Sequence, residues 1–206
     1  VSLEEFARYF AEGDGRLWER QALCRARVVF GSPEMASTAM ATVGRAAFDH
    51  PWRREHAEEV RRMRHRMEET ASEGNVKLGP GGIVDIEFLV QMLQLKHGRH
   101  NPEVRTPNTL AALAALNQAR CLDGDDYRFF RESYRFLRTL EARLRLMNIT
   151  ARNRLPEDPT ELTKLAHLLR CPSSGELLVD FERLTQETRR RFDRIFDAEA
   201  AGAKKR

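Results

Sequence analysis

The residues best placed to do chemistry lie between Lys77 and Gln94. Lys77 precedes a tight glycine-rich approach, Gly79-Pro80-Gly81-Gly82, and the apolar run that follows reads as a helix over Ile83–Lys96 with Asp85 and Glu87 in its first turns. A glycine-rich turn opening a helix offers backbone N–H groups and the positive end of the helix dipole to an anion. Two readings of the turn stay open: an anion-binding turn with Lys77 as its cation, or a site where Gly81-Gly82 lets backbone approach backbone. No Walker spacing and no GxGxxG after a strand accompanies it. Asp85 and Glu87 would share a face on a strand. On a helix they diverge by about 200°, so they cannot chelate one ion together. Glu87, Gln91 and Gln94 follow i, i+4, i+7 and form one narrow polar seam, while Asp85 falls on the opposite side, near Lys96. Glu87 also keeps two accounts: satisfied by a buried arginine or by backbone, or facing a phosphate-bearing ligand together with the helix start.

Other constellations are weaker. Asp123-Gly124-Asp125 has a spacing that can hold two metal ions on a strand, but here it opens a helix and reads as an N-cap. Arg53, Arg54, Arg61, Arg62, Arg64 and Arg66 make a basic helix, interleaved with Glu55, Glu58, Glu59, Glu68 and Glu69 as i, i+4 partners. That pattern reads as a solvated face; the alternative, an RNA- or phosphate-facing patch, would need stacking aromatics, and only Trp52 is near. The six histidines are scattered without an HExxH, and neither a Gly-x-Ser-x-Gly nor a Cys/His pairing suggests a nucleophile. Cys24, Cys121 and Cys171 are far apart, which argues for reduced thiols and a cytoplasmic protein. With 35 basic and 31 acidic residues the net charge of +4 is mild, giving no nucleic-acid footprint. No apolar run approaches a membrane span.

The elements that must position these residues are helices almost throughout. The spacing predicts Leu3–Ala11, Arg16–Val29, a third helix capped by Ser32 with Pro33 at its first position and running to about Phe48, and a charged fourth from Pro51 to about Ser72, docked by a narrow stripe of Val60, Met63 and Met67. After the central helix, Thr106-Pro107 caps one that runs to Arg120, Asp123–Asp126 opens a long one to about Met147, Asp158-Pro159 opens one to Leu169, and Ser173 with Glu176 forms a capping box for the last. Arg27–Phe30 is the one short β-like run. The expected fold is all-α: a multi-helix antiparallel bundle of about eight or nine helices. Residues 1–75 read as N-terminal helices, 76–197 as the bundle and 198–206 as a disordered basic tail. The chain starts without Met, so it reads as a piece of something longer.

Four stretches, WERQALCRARVVFG (Trp18–Gly31), KLGPGGIVDIEFLVQ (Lys77–Gln91), RTPNTLAALAAL (Arg105–Leu116) and YRFLRTLEARLRL (Tyr134–Leu146), resemble the glutamine synthetase adenylyltransferases, which attach and remove AMP on glutamine synthetase. The likeness follows the family's order over most of the chain and is weakest after about Leu155. Gly-Gly-Ile-x-Asp/Glu-Ile-Glu-Phe followed by Arg-x-x-Asn-Thr-Leu is its most specific part. The family has two halves, each a nucleotidyltransferase domain followed by a helical domain, and Val84-Asp85 before Ile86-Glu87 looks more like the adenylylating half. The resemblance implies a helical domain shared with the uridylyltransferase of the PII signalling protein, an upstream nucleotidyltransferase domain holding the metal ligands, ATP and Mg as cofactors of the parent, glutamine synthetase as protein substrate and PII as regulator. It implies Arg25 and Arg27 as phosphate-facing cations, Lys77 with Gly81 and Gly82 as an anion-binding turn, and Asp85 and Glu87 as cleft or interdomain acids. Salt bridging to a neighbouring helix is the plain alternative for Arg25 and Arg27. Pro80 stiffens a turn that a nucleotide-clasping role would want mobile. The chain alone is expected to be inert. The rival class is a non-enzymatic helical module that docks a protein or a nucleic acid.

Overall fold

Capping residues set most of the helix starts. Ser2 accepts the Glu5 N–H while Glu5 returns a bond to the Ser2 N–H, closing a capping box on α1 (Leu3–Ala11). Ser32 caps α3 (Pro33–Phe48), Asn108 caps α6 (Thr109–Gln118) and Asp158 caps α8 (Pro159–Leu168), each through its side-chain oxygen. The remaining helices are α2 (Leu17–Leu23), α4 (Arg54–Glu68), α5 (Ile83–His97), α7 (Gly124–Met147) and α9 (Ser174–Ala201). The computed structural model describes residues 1–13, 15–147 and 153–201, and among them there are nine α-helices, one short 3-10 turn at Pro102–Val104 and no strand. The chain is therefore all-α. The sequence reads as a loop over Arg152–Pro156, whose first residue lies outside the described residues, as do residues 202–206 of the expected tail, while 198–201 continue α9.

α5 is the axis. It touches α2, α3, α4, α6, α7 and α9, and a helix enclosed on that many sides must be apolar nearly all round. Ile83, Ile86, Leu89 and Met92 are wholly buried, and its apolar core runs on without a break from Leu17 to Phe196. The polar seam survives because each member finds a partner. Gln91 accepts from Gln21 Nε2 at 2.8 Å, and Gln94 Nε2 donates to the Val104 and Thr106 carbonyls at 2.6 and 2.9 Å. Buried polar groups of this kind are costly only when left unpaired.

Two devices fasten the outer helices. Arg20 is almost wholly buried; it donates to the Phe10 carbonyl (3.0 Å) and to that of Ala46, in the last turns of α1 and α3. Helix C-termini lack intrahelical donors and carry the negative end of the dipole, so one guanidinium serves two of them. At the other end, Asp126 of α7 receives Arg191 at 2.8 Å and Arg194 at 2.6 Å from α9. Asp123 accepts the Asp125 N–H at 2.7 Å, the N-cap expected for Asp-x-Asp.

Several boundaries differ from expectation. α2 ends at Leu23, not Val29: the Arg25 and Ala26 amides close tight turns onto Ala22 and Leu23, and the chain leaves the bundle with Val28, Val29 and Phe30 facing solvent. α4 starts at Arg54 and stops at Glu68, and its docking stripe is Ala57, Val60 and Arg64, with Met67 exposed. α6 begins at Thr109 because Asn108, not Thr106, takes the cap.

Candidate functional site

The glycine turn is closed to ligands by its own backbone. The Gly82 amide donates to Gly79 O, Ile83 to Val76 O, Val84 to Lys77 O and Asp85 to Gly82 O, all near 3.0–3.1 Å, so carbonyls occupy the amides that open α5. The Gly81 amide donates to Asp85 Oδ2 at 2.7 Å. Gly81 holds φ +70°, and a Cβ there would run into the Thr185 carbonyl of α9; one on Gly82 would meet the carbonyls of Val76, Gly79 and Lys77. These glycines let α9 and the turn approach as bare backbone. Lys77 sits half-buried beside them, its own amide held by Asn75 Oδ1 at 3.0 Å.

Asp85 is wholly buried. Arg64 Nε, equally buried, lies 2.5 Å from Oδ1, and Arg189 Nε of α9 lies 3.3 Å from Oδ2. Arg64 Nη2 also donates to the Leu78 and Gly79 carbonyls at 2.9 Å, tying α4 to the glycine turn. Burial pushes the Asp85 carboxyl up to about 6 against the pull of Arg64 and the Gly81 amide. This is a junction of α4, α5 and α9, and the buried arginine that satisfies an acid of α5 satisfies Asp85 rather than Glu87.

Glu87 points the other way, behind Arg25 and Tyr134, which line a surface cleft. Arg25 Nη1 lies 3.0 Å from its Oε1, and the Tyr134 hydroxyl of α7 donates to the same oxygen at 2.9 Å. Burial acts to lower the Arg25 guanidinium, but Glu87 and Tyr134 outweigh it and its pKa stands above the ordinary value. Burial, with Glu87 adding, raises the Tyr134 phenol, so it stays protonated and donating. The cleft, of about 550 Å³, is lined by Arg25, Pro107, Asn108, Thr109 and Leu110 at the start of α6, and Tyr134, Arg135 and Arg138 on α7. Arg27 stands apart on the exposed stretch after α2.

The residues singled out from sequence therefore fall in different places. Arg25 and Glu87 come together; Lys77, Gly81, Gly82 and Asp85 gather at the buried junction; Arg27 joins neither. The sequence singles out neither Arg135 nor Arg138, and names Tyr134 only as the start of the stretch Tyr134–Leu146. Its phenol was the available signal, since a buried Tyr hydroxyl needs a partner. The donor set does not fit a metal: Asp85 and Glu87 diverge and each is engaged by arginine, and among the described residues no group of three or more His, Cys, Asp or Glu is placed to hold an ion.

Three of the stretches that carry the family resemblance line this cleft, through Arg25, Asn108 with Thr109, and Tyr134 with Arg138, and the fourth supplies Glu87, which holds Arg25 and Tyr134 from behind. Comparison with known proteins agrees with that resemblance. The chain is 35% identical over 184 residues to the bifunctional glutamine synthetase adenylyltransferase/adenylyl-removing enzyme of Leifsonia xyli, covering 87% of this chain and 18% of that protein. It is 35% identical over 188 residues to the enzyme of that name from Streptomyces coelicolor (88% and 19%), and 32% identical over 203 residues to that from Nitrosomonas europaea (96% and 22%). The chain thus spans about a fifth of the length of these relatives. The family model described as GlnD PII-uridylyltransferase matches residues 52–198. With that match over more than half of its length, the chain belongs to the GlnD PII-uridylyltransferase family.

Proposed function

We propose that this chain is the helical companion of a nucleotidyl-transfer domain, in a parent protein that moves AMP from ATP to a tyrosine of glutamine synthetase. The observation that carries the reading is the convergence just described: stretches separated by up to a hundred residues of sequence bring their polar side chains to one cleft. In this account Mg and its carboxylate ligands belong to the catalytic domain, since the acids here are tied to arginines. The cleft with Arg25, Glu87 and Tyr134 faces that domain and helps hold ATP or the protein substrate, with residues 1–75 forming the link, and PII is the regulator. Exposed Val28, Val29 and Phe30, in the stretch that follows Arg25, support a covered face at this edge, because consecutive apolar side chains at a surface mark contact sites. The buried junction of Asp85 with Arg64 and Arg189 holds the bundle rigid behind the cleft. The test is AMP incorporation. The chain alone, given ATP, Mg and glutamine synthetase, labels nothing; labelling by the chain alone would refute the division of labour.

A further inference from the structure

The cleft carries a charge imbalance that its own residues leave standing. Glu87 is shared between Arg25 and Tyr134, and Glu141 between Arg138 and Arg145 at 2.8 and 2.9 Å. Arg135, exposed on the same rim, has no ion-pair partner among the described residues. Three guanidinium groups, those of Arg25, Arg135 and Arg138, thus line the cleft with no carboxylate among the lining residues; Glu87 and Glu141 pair with two of them from behind the wall, and Glu141 is shared with Arg145 outside it. Arg25 and Arg138 are each held on one side by a carboxylate and are still about half exposed, at 46% and 47%. A guanidinium fixed in this way presents its remaining N–H edge in a set direction, the geometry suited to bidentate oxyanion contacts. Pro107, Leu110 and the Tyr134 ring supply the apolar part of the wall in a concavity of about 550 Å³, within the size range of small-molecule sites.

We infer that the cleft between the segment after α2, the start of α6 and the outer face of α7 binds a phosphate dianion, the phosphomonoester or diphosphate part of a small molecule, gripped by Arg25, Arg135 and Arg138. Three guanidinium groups on one wall suit the several oxygens of a phosphate dianion better than the two of a single carboxylate. The inference rests on the reading of this cleft as the working face, but its test involves no transfer reaction, so either can fail without the other.

The test titrates inorganic pyrophosphate into the 206-residue chain at low salt, followed by calorimetry and amide chemical shifts. The expected result is saturable one-site binding with shifts at Thr109, Leu110, Arg135 and Arg138, weakened as salt screens the charges. The double variant Arg135→Ala/Arg138→Ala, both exposed positions, loses at least tenfold in affinity with an unchanged circular dichroism spectrum. A control, Arg128→Ala/Arg183→Ala, removes equal charge from exposed arginines outside the cleft and stays within twofold of the parent chain. Equal losses in both variants, shifts scattered over the surface, succinate binding as tightly as pyrophosphate, or no saturation at concentrations of about 1 mM would overturn it.

Discussion

Two residues apart on α5, Asp85 and Glu87 meet opposite partners. Asp85 sits in a dry junction between Arg64 and Arg189, and removing one member of a buried ion pair strands the other charge. Asp85→Asn is therefore expected to cost about 3–5 kcal/mol, read as a shift of the urea midpoint. A loss under about 1 kcal/mol would mean that Arg64 finds other compensation. Glu87 lies at the cleft edge beside a half-exposed Arg25, where an ion pair contributes about 1 kcal/mol or less. Glu87→Gln keeps an acceptor for Tyr134 and should leave helical content intact with a loss of that order; a collapsed circular dichroism signal would contradict a cleft role. The divergence of the two acids was legible in the sequence, because 100° per residue dictates it. Their partners were not. Arg64 stood among six arginines on a helix that reads as solvated, and nothing in its own window marks it as the one beneath α9.

At the scale of elements, the Gly81 turn sets how closely α9 lies on α5. Gly81→Ala adds a Cβ where the Thr185 carbonyl stands, at positive φ. The left-handed strain of about 1–2 kcal/mol and the overpacking of about 1–3 kcal/mol add to a severe destabilisation; a thermal midpoint unchanged by the substitution would show that the turn yields. On α9 itself, Glu187 is held well below its ordinary 4.5, at about 2, chiefly by a hydrogen bond from Arg190, with Arg191 adding against burial. A depressed carboxylate contributes stability that is present above the unfolded value and lost as pH falls through the folded one. The Glu187 contribution is thus expected to fade between pH 4.5 and 2. Asp85, lifted by burial to about 6, works in the opposite sense. The comparison to make is the parent chain against Glu187→Gln, in which Asp85 cancels: the acid slope should be shallower in the variant, and identical slopes would contradict the assignment. Capping residues made the starts of α3 and α8 readable to the residue. The end of α2 was not readable, since Arg25–Val29 keeps helical spacing and stops only because it faces solvent rather than the core.

For the molecule as a whole, an all-α bundle around α5 was legible because that segment is apolar on nearly every side while its flanking helices carry stripes. The cleft was only half legible: Arg25 and Glu87 could be named, but Arg135 and Arg138 look like ordinary surface arginines until α6 and α7 are brought side by side. The relatives are about five times as long as this chain, so the role proposed for the cleft is one to test within a protein of that length. The most direct measurement places this chain in the corresponding position of the Streptomyces coelicolor enzyme and follows AMP incorporation into glutamine synthetase with and without Glu87→Gln. The account predicts that the chimera transfers AMP, and that the variant is at least tenfold slower, about 1.4 kcal/mol of transition-state stabilisation, with its thermal midpoint lowered by no more than about 2–4 °C. Equal rates in the two proteins would contradict it.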